Sequence, residues 1–183
     1  VNMPLDNPAL AITDPQLAHQ AAGGDRQAFE TLYQRHHLRV YALALRLCGN
    51  RHCAEDVTQA SFIRAWHKLA QFRGDSQFGT WLHSLTVNVA MNHLKQQRSF
   101  WSRFRPLDDA ETTHFAAAEH KPLEHKDLDT LLLRLPERAR VVFVLCAIEG
   151  YQHDEVGRLL NIATGTSKAQ YHRAKTLLKE MLS

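Results

Sequence analysis

Cysteine is scarce: three residues (Cys48, Cys53, Cys146) in a chain of 183, an odd count without dense spacing. That excludes a disulfide framework and makes a reduced protein the expectation. Glycine (8) and proline (6) are also few, so collagen-like and low-complexity classes are out and long helix-forming stretches dominate. No apolar run approaches the ~20 residues that a membrane span needs, so no membrane insertion is expected. The opening residues VNMPLDNP carry neither a basic segment nor the apolar stretch of a secretory signal. Together these features make a cytoplasmic location the expectation. Charge of one sign is short as well: the net value is only +3, with a pI near 8.9. Such weak bulk charge excludes a histone-like tail and makes any nucleic-acid contact local or helped by a partner. The twelve histidines add positive charge below about pH 6.5.

Catalytic signatures are missing too. There is no phosphate-binding glycine loop, no serine-hydrolase elbow and no zinc-protease histidine pair. Cys48 and Cys53 are four residues apart with His52 between them, a spacing open to zinc or redox sensing. No second ligand pair stands at a matching spacing, so both read as ordinary helix-end cysteines. The expectation is a chain that binds no metal or cofactor and is not itself an enzyme.

What is present is helical periodicity, and the fold class expected is all-α, in two small helical domains joined by a flexible linker. Residues 1–13, with Pro4 and Pro8, read as a loose arm. A short helix from Pro15 to Ala22 stops at Gly23-Gly24, and Asp25 caps the next helix. That helix carries Phe29, Leu32, Tyr33, His36, Val40, Leu43, Ala44 and Leu47 on one stripe, ending at Gly49-Asn50. Residues 14–98 thus form a first domain. Residues 99–122 lack steady spacing and read as a linker, too long for a loop inside one compact domain. The second domain, 123–183, reads as four helices. Its segment RVVFVLCAI also fits a buried strand, but Pro136-Glu137 and Glu149-Gly150 are better start and stop signals for a helix.

Three surfaces carry candidate function. The helix from about His52 to Leu69 has one apolar side, and an opposite ridge of Asp56, Gln59, Ile63 and Trp66. That ridge is too apolar for a solvated face and too polar for a core. Its Ile63 and Trp66 either pack on a neighbouring helix or dock a partner protein.

The second surface is the turn Phe72-Arg73-Gly74-Asp75-Ser76 and the helix that follows from about Phe78 to Gln97. Gly74 permits a tight backbone path, and Asp75 and Ser76 supply turn-stabilising polar groups that can rim a small pocket. Ser84, Asn88, Asn92 and Lys95 share one helix face, with Trp81 at its edge. Asparagine presents paired donor and acceptor groups suited to a base edge. An aromatic wall can stack an unpaired base, and Arg73, Lys95 and Arg98 can hold phosphates. These groups suit capture of a base rotated out of a duplex. The alternative is that Phe72, Phe78 and Trp81 are core residues at a helix junction.

The third surface is a helix-turn-helix over residues 152–182. Val156, Leu159 and Leu160 give a short amphipathic helix, and Gly157 marks a place where two helices cross closely. Asn161-Ile162-Ala163 makes the turn, and Thr164 caps the last helix. Tyr171, Ala174, Leu178 and Met181 share one face of that helix. Lys168, His172, Lys175 and Lys179 form a basic stripe, with Ala169 and Arg173 beside it. Such a helix end reaches base edges or phosphates in a major groove, unless the stripe is simply solvated.

DVTQASFIRAW, FRGDSQFGTWL and the later GYQHDEVGRLLNIATGTSKAQYHRAKTLL, in that order, resemble the bacterial sigma-70 family in its small extracytoplasmic-function (ECF) branch. The resemblance covers residues 14–98 and 124–182. It implies two domains, sigma regions 2 and 4, that bring RNA polymerase to promoter DNA. By the resemblance, Asp56, Gln59, Ile63 and Trp66 dock on the clamp helices of the polymerase β′ subunit, and region 4 meets the β flap. Phe72, Arg73, Asp75, Ser76, Phe78, Trp81, Ser84, Asn88, Asn92, Lys95 and Arg98 are implied for the −10 element. Thr166, Lys168, Ala169, His172, Arg173 and Lys175 are implied for the −35 element. An anti-sigma partner is implied as regulator. Ser167 departs from the family, which usually has an apolar residue there. Ala169 and Gln170 stand where small polar and basic residues are frequent. Two other classes fit the residues alone: a stand-alone helix-turn-helix regulator binding a duplex operator as a dimer, and a helical module that binds only protein.

Overall fold

The computed structural model describes residues 12–96 and 128–182, so the expected arm (apart from Ile12 and Thr13), the expected linker and Arg98 lie outside the described residues. Helices joined by short turns and loops make up the described residues, with no strand among them. The first group comprises α1 (Asp14–Ala22), α2 (Arg26–Cys48), α3 (Arg51–Lys68) and α4 (Phe78–Gln96). A single 3₁₀ turn, Leu69–Gln71, extends α3 toward the 72–77 loop. The second group comprises α5 (Leu128–Leu133), α6 (Glu137–Phe143), α7 (His153–Leu160) and α8 (Thr164–Leu182).

Local chemistry sets the boundaries. Thr13 and Gln16 form a capping box that starts α1 one residue before the expected Pro15. The Asp25 carboxylate accepts from the N–H groups of Gln27 and Ala28, which fixes the first turn of α2. Gly49 ends α2 in the left-handed region (φ 80°), where it donates to Leu45 O at 2.8 Å. One residue later Asn50 accepts from Cys53 N at 2.9 Å and starts α3. The two helices are thereby folded back on each other across a one-glycine corner.

The apolar stripes meet as their spacing requires. Leu32, Leu47, Val57, Phe78, Leu82, Met91 and Leu94 are fully buried in the first group. Leu131, Leu132, Leu145, Val156 and Leu160 are fully buried in the second. Truncating any of these leucines to alanine costs ~2–5 kcal/mol by lost burial and cavity formation. RVVFVLCAI is helix, not strand. It runs as α6 and then widens into a π turn at Val144–Ile148, which the sequence pattern does not announce.

Two expectations within the second group are corrected, and a third feature is explained. Thr164 is the first residue of α8 rather than its cap. Gly157 does not mark a helix crossing. A Cβ there would lie 2.9 Å from Ile162 O, so the constraint is the backbone of the tight turn. Ser167 is completely buried, and its hydroxyl pairs with His153 Nδ1 at 2.9 Å, which explains how a polar residue occupies an otherwise apolar place.

The two groups meet along one seam. Arg46 on α2 makes a two-pronged pair with Asp129 on α5, at 2.7 and 3.1 Å. His83 on α4 meets the Glu149 carboxylate. At the centre, the guanidinium of Arg140 is buried and donates to Cys48 O at 3.0 Å and Leu135 O at 3.3 Å, while its Nε finds no acceptor. A Cβ on Gly49 would fall 2.2 Å from Arg140 Nη2, so the corner glycine is needed for this seat as well as for its own backbone. The α2 carbonyl end is a favourable site for a cation.

Candidate polymerase and nucleic-acid surfaces

On α3, Asp56, Gln59 and Ile63 are exposed and Trp66 is half-buried. Trp66 packs edge-on against Phe29 at 5.0 Å at the α2–α3 junction, while Ile63 keeps 54% of its surface in solvent. An isolated exposed isoleucine is unremarkable, but this one borders a groove of about 730 Å³ between α2 and α3. Tyr33, Leu38 and Tyr41 of α2 line its other side, and Leu38 is 72% exposed. Sequence reasoning missed these three α2 residues. The stripe placed Tyr33 in the core, whereas its ring stacks on His37 and leaves one edge in the groove. The signal that finds Leu38 is its position off the apolar stripe. The result is a contiguous amphipathic groove with Gln59 at its polar rim.

The second surface lies on α4 and the loop before it. Phe72, Phe78 and Trp81 form an aromatic triangle with ring centroids 5.4–5.6 Å apart. Phe78 corrects the expectation of a nucleic-acid contact. It is 1% exposed, packed beneath Phe72 and Trp81 and against His36, so no base reaches it. Phe72 and Trp81 are half-buried and keep one side open above it. The triangle anchors the 72–77 loop, whose Arg73, Asp75 and Ser76 are all exposed, and Gly74 turns it at φ 77°. Ser84, Asn88, Asn92 and Lys95 are exposed along one face of α4, as their spacing requires. Asn88 Nδ2 donates to Ser84 O at 2.8 Å, so its amide lies along the helix. Reading a base edge with both amide groups therefore needs a rotamer change that breaks one exposed hydrogen bond, a small cost. Trp81 beside this face gives an aromatic edge next to a row of amides and a lysine.

The third surface is α8. Lys168, Ala169, His172, Arg173 and Lys175 are exposed, and Thr166 is half-buried. The opposite side buries Ala174 and Leu178, with Tyr171 stacked against Phe143 at 5.7 Å. Gln170 is buried rather than available to a ligand. Lys175 Nζ sits 5.8 Å from the Tyr171 ring, which leans one cation of the stripe toward an aromatic face. A turn of three residues (161–163), with Asn161 in the left-handed region (φ 55°), sets α7 against α8. The outward basic face begins in the first turns of α8, where a recognition helix contacts a major groove.

Among the described residues, no helix is long and apolar enough to cross a membrane. Comparison with known proteins matches residues 32–100 to sigma-70 region 2 and residues 125–178 to sigma-70 region 4. The chain is 33% identical to the ECF RNA polymerase sigma factor SigE of Mycolicibacterium smegmatis, covering 88% of this chain and 65% of that one. It is 30% identical to the ECF RNA polymerase sigma-E factor of Haemophilus influenzae, covering 95% of this chain and 97% of that one. The fold is also that of the sigma factor RpoE of Bartonella quintana, solved with the anti-sigma factor NepR. There the TM-score is 0.51 at 24% identity, over 84% of this chain and 96% of that one. Matches to both regions, in order and along nearly the full length of the Haemophilus protein, leave no room for a stand-alone helix-turn-helix regulator: this chain belongs to the ECF branch of the sigma-70 family.

Proposed function

We propose that this protein binds core RNA polymerase in the cytoplasm, carries it to particular promoters and helps open the DNA, without catalysing a reaction itself. The observation that carries the reading is the separation of three exposed surfaces, each with different chemistry, on two helical units. The α2–α3 groove, with Gln59, Ile63 and Trp66 on one wall and Leu38 on the other, has the amphipathic character of a docking site for a helical partner such as the β′ clamp, and exposed Asp56 extends that surface along α3. The α8 stripe of Lys168, His172, Arg173 and Lys175 suits the −35 duplex, and region 4 also meets the β flap. Phosphate contacts there set position, and the few residues reaching base edges set sequence.

The α4 face is assigned to the −10 element. Extruding a base costs a few kcal/mol. Stacking on the Phe72–Trp81 edge returns ~1–3 kcal/mol, and hydrogen bonds from Asn88 and Asn92 add to it. Exposed Arg73 and Lys95 lie where phosphates of the displaced strand would pass, and Ser76, Asp75 and Ser84 rim the path. An anti-sigma partner is proposed to hold the factor inactive by covering the groove and the DNA faces.

The test is run-off transcription with purified core polymerase. Addition of this protein should give one start site at promoters of its own regulon, and none on templates lacking them. Stable binding to polymerase with no promoter preference would contradict the proposal and favour a module that binds only protein.

A further inference from the structure

The three surfaces leave α1 without a task, yet its placement is specific. Leu17, Ala18 and Ala21 are buried, and the helix packs against α2, α4 and the 3₁₀ turn Leu69–Gln71. That turn leads directly into Phe72, and α4 begins with Phe78. α1 therefore touches the elements at both ends of the 72–77 loop.

Asp14, the first residue of α1, is tied to α2 by two side chains. Arg35 Nη1 donates to Asp14 Oδ1 at 2.8 Å and to Ile12 O at 2.9 Å. His36 Nε2 lies 2.7 Å from Asp14 Oδ2. A carboxylate can only accept, so the imidazole donates through Nε2, and that bond sets its ring orientation. The ring lies against Phe78, with centroids 5.3 Å apart and planes inclined by 60°. It also faces the α4 backbone, where a Cβ on Gly79 would lie 3.5 Å from His36 Cε1. Phe78 in turn supports Phe72 and Trp81, each with its centroid 5.6 Å away. A line of contacts thus runs from the start of α1 to the two half-buried rings.

We propose that His36, held by Asp14, is a positioning residue for base capture: it fixes the Phe78 ring on which Phe72 and Trp81 are set. This role rests on the assignment of the α4 face to the −10 element. With 15% of its side chain exposed, His36 acts through Phe78 rather than on the base. Stacking depends on ring geometry, and a site is only as exact as the groups that hold it. Without the imidazole, Phe78 gains room to tilt and the Phe72–Trp81 edge loses its fixed plane. His36 does not line the α2–α3 groove, so polymerase docking should not feel the change.

The test measures permanganate reactivity of −10 thymines beside affinity for core polymerase, below the melting temperature of every variant. His36→Ala should lower thymine reactivity about tenfold, as a weakened stacking contact would, and leave polymerase affinity unchanged. His36→Gln, whose amide can still donate to Asp14, should recover part of that loss. Leu47→Val, about three turns along α2 from His36, is the control for general loss of stability. It should lower the melting temperature and leave thymine reactivity as in the wild type. Equal losses of reactivity in His36→Ala and Leu47→Val would reduce His36 to a part of the core and overturn the proposal. Joint replacement of Trp81 and Asn88 by Ala separates the two readings. If that variant loses reactivity while His36→Ala keeps it, the positioning role is wrong and the −10 assignment stands. If neither loses it, both are wrong.

Discussion

Asn88 and Phe78 stand ten positions apart on one helix and mark the two fates of a residue beside a functional face. Asn88 is exposed and holds only its own helix. Asn88→Ala should therefore leave the melting temperature within a few degrees, since alanine favours an exposed helix position. Open-complex formation should fall roughly tenfold, in line with ~1–3 kcal/mol for one base contact. Equal activity of wild type and variant in a permanganate assay would remove Asn88 from the site. Aromatic identity and the turn motif were legible in the sequence. Which of the three rings is covered was not, because a period of 3.6 places Phe78 and Trp81 on adjoining faces and only packing decides between them. Asp14 gives a prediction of a different kind. Burial would raise its pKa, but hydrogen bonds and charge from Arg35 and His36 outweigh that and hold it below the ordinary 3.8. A carboxyl with a folded-state pKa below its unfolded value stabilises the fold above the unfolded value. That contribution is lost as pH falls through the folded one. Asp14→Asn should thus lower the melting temperature at pH 6, and the difference should shrink on titration below pH 4. A difference independent of pH would show that the ion pairs contribute nothing.

At the scale of elements, α3 does two jobs with two faces. Ala54, Val57, Phe62 and Ala65 are buried on the inner face, and Asp56, Gln59 and Ile63 remain outside. Because the outer positions are exposed, Asp56→Arg should keep the fold and weaken binding to core polymerase about tenfold or more, measured by fluorescence anisotropy. Leu38→Glu in the α2–α3 groove should weaken it as well, and unchanged affinity in both would exclude this α2–α3 surface. The helices themselves were legible because their stripes, caps and glycine stops agree. Half of the groove was not, since Leu38 and Tyr41 gain meaning only once α2 is folded against α3. The π turn at Val144–Ile148 was likewise hidden: a near-continuous apolar run fits α, π or strand until the surrounding helices choose.

The whole molecule poses a question of reach. Elements at −35 and −10 lie about 25 base pairs apart, ~85 Å along a duplex. Each helical unit is only ~30 Å across, so two units packed along the Arg140 seam cannot occupy both. The chain from Gln96 to Leu128 is long enough to bridge ~100 Å when extended. To span both elements at once, the two units would have to part along this seam. Replacing Arg140 by Met removes the buried cation and its bond to Cys48 O while keeping volume. The separation between dyes on α3 and α8 should increase in the free protein, and an unchanged transfer efficiency would mean that the seam does not rest on Arg140. None of this seam was legible in the sequence, because it depends on a backbone carbonyl, a left-handed glycine and a lone arginine far apart in the chain.

The central claim is that one unit holds duplex while the other holds an unpaired base of the same promoter. Permanganate reactivity of thymines on a promoter from the protein's own regulon, with core polymerase present, tests it most directly. Reactive thymines are expected within the −10 element for the wild-type protein. They should be lost when Trp81 and Asn88 are both replaced by Ala in a variant that stays folded and polymerase-bound. Thymines equally reactive with that variant, or unreactive with the wild type while transcription proceeds, would contradict it.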